Sequence, residues 1–244
     1  MRSKIYINIK ILICVFFLNL HLQADELQIN SSQIKIDKKT KTTIFEGNVK
    51  AVDEKNNQIF TNFASYDKEL KVFKSTGATK IITSEGYTIN GNDMSFNNIN
   101  KTITSDKQTN VIDKDGNQIF MNMFNYLTNK NLFFSKGKIN IIDKNKNEYN
   151  FSEIYIDEKQ NKIVGTEVKV FLKDSSLKSN PDNEPRFFAN NLVMQNNSSI
   201  FEKGVFTYCK DKGSNKKPAW CLQSNKIEHN ASTKTIYYDK AVIK

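Results

Sequence analysis

The chain has 244 residues, of which 36 are lysine or arginine and 26 are aspartate or glutamate, giving a net charge of +10. The lysines are scattered among asparagine and aspartate along turn-like segments. Nucleic-acid-binding proteins instead concentrate their basic residues in a stripe or patch. The composition therefore predicts a solvated surface without a nucleic-acid partner, and the modest positive charge would suit anionic glycolipids.

The first residues have the features of a secretory signal peptide. Arg2, Lys4 and Lys10 form a positively charged segment, and the apolar run 11–22 follows it. This run is shorter than the roughly 20 apolar residues that a membrane-spanning helix needs. We expect cleavage after Ala24 and export from the cytoplasm, with an uncleaved anchor as the alternative.

Residues 25–244 are predicted to form one all-β domain of strand pairs that repeat about every thirty residues. Two apolar columns recur at this period: Ile34, Ala64, Met94, Phe124, Ile154 and, two positions later, Ile36, Tyr66, Phe96, Tyr126, Ile156. A second pair of columns follows Gly47, Gly77, Lys107 and Gly137: Val49, Thr79, Thr109, Ile139 and Ala51, Ile81, Val111, Ile141. Alternation with period two predicts strands, and the fixed repeat predicts a stacked array.

An aspartate recurs where each repeat turns, at Asp37, Asp67 and Asp157. Aspartates at a common depth could hold calcium or form a carboxylate pair, but Asn97 and Leu127 interrupt the column. We interpret the aspartates as Asx turns, in which the side chain accepts a hydrogen bond from the following backbone. Because the sequence shows no glycine-rich phosphate loop and no catalytic constellation, we expect no cofactor, no metal and no enzymatic activity.

The repeat loosens after residue 165, where two insertions interrupt it. The first, 174–185, carries two prolines, and the second separates Cys209 from Cys221. In an oxidising compartment these cysteines are predicted to close a local disulfide ring, with free or intermolecular thiols as the alternative. A zinc site is disfavoured, since His229 is the only nearby additional ligand.

Stacking would align the repeated columns into ladders that face one another across an apolar interior. The candidate lining residues are Val49, Ala51, Ala64, Tyr66, Ile81, Met94, Phe96, Val111, Phe124, Tyr126, Ile139, Ile141, Ile154 and Ile156. A filled sandwich core is one interpretation. Four members of the columns are small or polar and would fill a dry core poorly: Ala51, Ala64, Thr79 and Thr109. Three further isoleucines are assigned to the opposite face: Ile59, Ile89 and Ile119. Both observations favour a partly open groove.

Two strand pairs and the last forty residues resemble a known family. The segments IFEGNVKAVDEKNNQIFTNFASYD and FFSKGKINIIDKNKNEYNFSEIYID are similar to the OstA-type domain of lipopolysaccharide transport proteins. This group includes LptA, LptC and the N-terminal domain of LptD, and the resemblance spans residues 27–244. The end of the chain resembles the segment that closes the LptD domain, and the matching residues are Tyr208, Cys209, Pro218, Trp220 and Ala241.

The resemblance implies a twisted β-jellyroll, or β-taco, whose apolar interior carries the acyl chains of lipopolysaccharide in the periplasm, in association with the outer membrane. Its implied partners are lipopolysaccharide and an LptA-like bridge protein joined by edge-strand addition. The alternatives are a stand-alone periplasmic LptA-like bridge protein and a structural or adhesive β-solenoid with a dry core.

LptD-like proteins continue into an outer-membrane barrel that holds a lipoprotein plug, whereas this sequence stops at Lys244. The resemblance therefore implies either a fragment, for which barrel and plug would be partners, or a stand-alone relative. It also implies a second role for Cys209, because the matching cysteine in many LptD proteins pairs with cysteines of the barrel. Cys221 departs from that pattern.

Overall fold

The computed structural model describes residues 27–173, 185–209 and 218–244. The helices and strands in these ranges are all strands: β1 (Gln28–Asn30), β2 (Gln33–Asp37), β3 (Thr42–Val52), β4 (Gln58–Asp67), β5 (Val72–Ile82), β6 (Thr88–Asn92), β7 (Ser95–Asn97), β8 (Thr102–Ser105), β9 (Thr109–Ile112), β10 (Gln118–Met121), β11 (Phe124–Leu127), β12 (Leu132–Ile142), β13 (Glu148–Asp157), β14 (Lys162–Phe171), β15 (Arg186–Gln195), β16 (Ser198–Thr207), β17 (Leu222–Asn230), β18 (Thr235–Asp239) and β19 (Val242–Ile243).

The predicted all-β fold is thereby confirmed for the described residues. Within the same ranges, no helix is long and apolar enough to cross a membrane. The predicted signal segment 1–24 lies outside the described residues, as do most of the two insertions.

The strands form one antiparallel meander. β3 pairs with β1 and β2 on one side and with β4 on the other, and β4 pairs onward with β5. Where a segment is divided into two short strands, both lie in line against one neighbour, as β6 and β7 do against β5. We call each long strand, and each pair of short strands that lie in line, a row. The rows stack from β1 and β2 at one end to β18 and β19 at the other, as the thirty-residue repeat predicts.

Many rows bend near their middle. The pairing of β3 with β4 shifts register between Glu46 and Val49, and that of β12 with β13 shifts between Lys136 and Ile139. Gly47 and Gly137 lie at these bulges with φ values of +74° and +100°, which side-chain-bearing residues rarely adopt. Bulges bend and twist a strand, and alternate residues are buried on both sides of the bend. The sheet is thus folded along the bulges, and its two halves face each other.

The turns between rows form the two edges of this folded sheet. Edge 1 contains the turns at 38–41, 68–71, 98–101, 128–131 and 158–161, and edge 2 contains the turns at 53–57, 83–87, 113–117 and 143–147. At edge 1 the Oδ1 atoms of Asp37, Asp67 and Asp157 accept backbone hydrogen bonds at 2.8, 2.9 and 3.0 Å from residues two or three positions later. The predicted Asx turns are therefore confirmed.

The first and last rows leave apolar side chains exposed. Ile34 and Ile36 continue the inward columns but are 59% and 72% exposed, because no further row of the described residues covers them. In the last row Val242 and Ile243 are 55% and 73% exposed. Among the described residues β2 pairs only with β3, and β18 only with β17. Both ends of the array therefore present a strand edge.

Cys209 and Cys221 lie at the ends of neighbouring rows. Cys209 follows β16 and Cys221 precedes β17, and both are free thiols in this structure. The last paired residues of these strands are Phe206 and Leu222. The local disulfide is not formed here and stays a prediction.

Candidate functional site

The candidate lining residues all lie on the inner face of the folded sheet. Thirteen of the fourteen are at most 3% exposed, and Tyr66 is partly buried against the same core. The two columns that contain Ala64 and Phe96 lie between the bulges and edge 1. The two columns that contain Val49 and Ile141 lie between the bulges and edge 2. The structure thus brings the predicted ladders together into one continuous interior.

This interior is filled by its own side chains over the middle rows, which differs from the partly open groove that the sequence favoured. Ile81, Val111, Phe124 and Ile139 are at most 1% exposed, so no water-sized void adjoins them. The polar members do not leave gaps, because they bond locally. For example, Thr79 donates a hydrogen bond to Ser75 Oγ at 2.7 Å.

Three isoleucines were assigned to the wrong face by the sequence analysis. Ile59, Ile89 and Ile119 are at most 3% exposed and lie inside. They are the cross-strand partners of residues in the predicted columns: Ala51, Ile81 and Val111. Directly opposed residues of an antiparallel pair share a face. The hairpin register could therefore have placed them correctly.

An aromatic cluster, which the sequence analysis missed, joins the two halves. The Phe133 ring lies 4.2 Å from the Tyr126 ring and 5.8 Å from the Tyr87 ring, measured between centroids. Tyr126 belongs to the half that ends at edge 1, whereas Tyr87 lies at edge 2. Phe133 belongs to a further apolar column with the thirty-residue period, which also contains Phe73, Ile103 and Ile163. This column was the sequence signal for the inward position of Phe133.

A seam of polar contacts holds edge 1 against edge 2. Glu158 at edge 1 is fully buried, and its Oε1 accepts a hydrogen bond at 2.8 Å from the hydroxyl of Thr83 at edge 2. Its Oε2 accepts a second bond at 2.6 Å from the Tyr126 hydroxyl. Nearby, the Lys101 ammonium at edge 1 lies 3.2 Å from the Glu54 carboxylate at edge 2. We call these contacts the seam contacts.

The environment of Glu158 favours its neutral form. Burial raises the pKa of this carboxyl group, and the hydrogen bonds from Tyr126 and Thr83 oppose the shift more weakly. Burial and the adjacent Glu158 likewise raise the pKa of the Tyr126 phenol. A buried carboxylate is costly unless it is hydrogen-bonded, so both hydroxyls stabilise it. The bond from Thr83 also ties edge 2 to edge 1.

The interior is accessible at the end formed by the first rows. A cavity of about 240 Å³ is lined there by Leu27, Ile29, Phe45 and Tyr66, with Lys68 and Lys71 at its margin. The cavity continues the apolar columns toward solvent. The inner face is therefore partly exposed at this end of the array.

The described residues include no group of three or more His, Cys, Asp or Glu side chains placed to hold a metal ion. The arrangement instead consists of an apolar interior, a line of bulges on one side and a polar seam on the other. Chemically it can exclude water and bury apolar chains.

No family profile matches the chain, and no curated protein matches it in sequence. Solved structures that resemble it include LptH, the LptA-homologous periplasmic component of the lipopolysaccharide transport device of Pseudomonas aeruginosa. That likeness covers 58% of this chain and 82% of LptH, with 13% sequence identity and a TM-score of 0.25.

Proposed function

We propose that this protein is a non-enzymatic carrier of lipopolysaccharide. The acyl chains of the lipid would lie between the two halves of the folded sheet. The observation that carries this proposal is the continuous apolar interior, which follows the stacking axis over the described rows. Each buried CH₂ group contributes about 0.8 kcal/mol. A chain of about twelve carbons would thus gain on the order of 10 kcal/mol without any specific polar contact.

Because the middle rows are filled, carrying a chain requires the halves to separate. The bulges are suited to act as a hinge, since they already interrupt regular pairing. On the opposite side the seam is held by a few polar contacts, among them those of Glu158 and Lys101. Breaking them, together with the packing of Phe133 on Tyr87, would let edge 1 move away from edge 2 and expose the inner ladders to an acyl chain.

One observation favours a second candidate. The buried middle rows also suit a structural or adhesive β-solenoid with a dry core, which would never open. The two functions differ in whether lipid reaches the inner ladders, which photo-crosslinking at inner and outer positions measures.

The proposed location is the periplasm, in association with the outer membrane, as the sequence resemblance implies. The exposed edge of β2 would pair with the last strand of an LptA-like bridge protein. The opposite end would meet an outer-membrane barrel and its lipoprotein plug if the chain belongs to an LptD-type protein, or a further bridge protein if it stands alone.

Photo-crosslinking tests the proposed function. A photoreactive phenylalanine analogue at Phe96, Tyr126 or Ile141 should capture lipopolysaccharide, because these positions lie inside. The same analogue at the exposed positions Asn56 and Lys138 should capture none. Lys138 is a matched control, since it belongs to the same strand as Ile141. Equal capture at inner and outer positions, or none at the inner ones, would contradict the proposal.

Strand addition at β2 gives a separate expected result. Replacing Ile36 by proline removes a backbone amide and should abolish co-purification with the bridge protein. Ile36→Thr keeps the amide and the β-branched shape, so it should retain binding. Both variants should unfold near the wild-type temperature, because Ile36 is largely exposed in an end row. Binding by the proline variant would argue against strand addition at this edge.

A further inference from the structure

The seam is not closed along its whole length. Toward the last rows the edges leave a cavity of about 350 Å³ between the 113–117 and 143–147 turns of edge 2 and the row ends around Met194 and His229. This cavity is separate from the seam contacts of Glu158. It opens to solvent on one side and reaches the inner face of the sheet on the other.

The walls of the cavity change from polar to apolar with depth. Asp115, Lys144 and Lys234 lie at its exposed rim. Deeper, Tyr149 is 5% exposed, and Met194 packs against the apolar core. A ligand that fills this space would need a hydrophilic part outside and an apolar part inside.

His229 is a lining residue of the deep wall and carries a buried polar atom without a partner. Its side chain is 5% exposed, and its Nε2 atom is buried without a hydrogen-bond partner. The ring packs against Phe187 at a centroid distance of 6.3 Å. Buried polar atoms are nearly always hydrogen-bonded, and an exception calls for an explanation. The nitrogen is covered in this conformation, so a ligand in the cavity would supply the missing partner once the ring rotates toward it.

The charges of the residues that line the cavity indicate which kind of ligand would pair with His229. Burial lowers the pKa of His229 more than the nearby Asp143 raises it, so the ring is neutral at pH 7. The rim carries both signs of charge, which suits neither a simple anion nor a simple cation. Sugar hydroxyls both donate and accept hydrogen bonds, and they can therefore pair with a neutral imidazole as well as with lysine and carboxylate groups.

We propose that this cavity binds the saccharide head group of a glycolipid whose acyl chains lie in the interior. The inference rests on the proposed function, and it adds that the polar part of the lipid has its own site beside His229. The cavity is also where an amphiphile meets the inner face without first breaking the contacts of Glu158. It thus marks the position at which loading begins.

Binding of three probes to the purified protein tests this site: lipopolysaccharide, the same molecule after complete deacylation, and a fluorescent fatty acid. His229→Phe keeps a planar ring against Phe187 and removes the orphaned nitrogen. It should weaken lipopolysaccharide binding about tenfold, as expected for the loss of one buried hydrogen bond. Fatty-acid binding should stay unchanged, and the melting temperature should stay the same or rise, since an unpaired buried polar atom is removed.

The outcomes separate this site from the proposed function. Unchanged lipopolysaccharide binding in His229→Phe would overturn the site, and so would an equal loss of lipopolysaccharide and fatty-acid binding. If the deacylated saccharide bound as tightly as the intact lipid, the ligand would be a free sugar and the head-group assignment would fall. If the wild type bound no fatty acid, the proposed function would fail, while saccharide binding that depends on His229 would still support the site.

A rim variant gives an independent check. Lys144→Gln removes a charge at the mouth of the cavity and should weaken binding of lipopolysaccharide and of the deacylated saccharide alike. Lys74→Gln removes the same charge from an exposed position on β5, away from the cavity, and should change neither. Equal effects of the two substitutions would show that general surface charge is responsible, and would contradict the site.

Discussion

Replacing Phe133 by alanine should lower the free energy of unfolding by about 3–5 kcal/mol, the usual cost of removing a fully buried phenylalanine. Phe133 is 0% exposed and contacts Tyr126 and Phe124 in its own half and Tyr87 at edge 2. The substitution leaves a cavity where the halves meet. Urea denaturation followed by circular dichroism measures the change.

The neighbouring residue provides a matched control. Phe134 points to the other face of the same strand and packs beside Tyr155, with a ring distance of 4.7 Å. Phe134→Ala should cost about 1 kcal/mol, because a cross-strand pair on the outer face contributes only that much. If both alanine variants lost the same stability, the interior would not be the core that holds the halves together.

Replacing Glu158 by alanine should cost about 2–4 kcal/mol, because it leaves the buried hydroxyls of Thr83 and Tyr126 without their partner. It should also loosen the seam, so we expect faster uptake of lipopolysaccharide by the folded variant. Stability is measured by urea denaturation and uptake by the fluorescence of a labelled lipid. A variant as stable as the wild type would show that Glu158 does not join the edges.

The pH dependence of Glu158→Gln follows from the raised pKa of the carboxyl group. The folded protein binds this proton more tightly than the unfolded chain, whose group has a pKa near 4.5. The favourable contribution is complete below that value and is lost as the pH rises through the folded-state pKa. Glutamine does not titrate, so the variant should gain stability relative to the wild type between pH 4.5 and 7. A constant difference over this range would contradict the assigned shift.

The sequence predicted the stacked strands because the inward columns recur with both the strand period and the thirty-residue row period. Asp37, Asp67 and Asp157 were correctly interpreted as turn residues, since their hydrogen bonds are local. The predicted face was wrong for residues whose orientation depends on strand pairing rather than on the thirty-residue spacing. Ile59, Ile89 and Ile119 face inward because the hairpins oppose them to inward residues.

The seam could not be predicted from sequence. Glu158 and Thr83 are 75 residues apart, and their contact depends on how far the sheet folds and twists. At the thirty-residue period, the positions equivalent to Glu158 hold lysine, asparagine or threonine. The repeat therefore gives no signal for this glutamate. The cavity beside His229 is equally non-local, because it lies between turns of edge 2 and rows whose repeat is interrupted by insertions. In these places the tertiary fold decides which residues meet.

Opening of the seam can be tested by locking it. In a protein with all three native cysteines replaced by serine, Glu54→Cys and Lys101→Cys place thiols on opposite edges, where the native side chains meet at 3.2 Å. A bis-maleimide linker would then join edge 2 to edge 1. The control pair, Lys41→Cys and Glu69→Cys, joins two neighbouring turns of edge 1, whose side chains meet at 2.9 Å without crossing the seam.

The deciding measurement is the amount of lipopolysaccharide that photo-crosslinks to position 96 before and after the linker is attached. If acyl chains enter between the halves, the linker across Glu54 and Lys101 should abolish capture, whereas the linker across Lys41 and Glu69 should leave it unchanged. Full capture by the protein with the locked seam would contradict the account that the folded sheet opens to carry lipid.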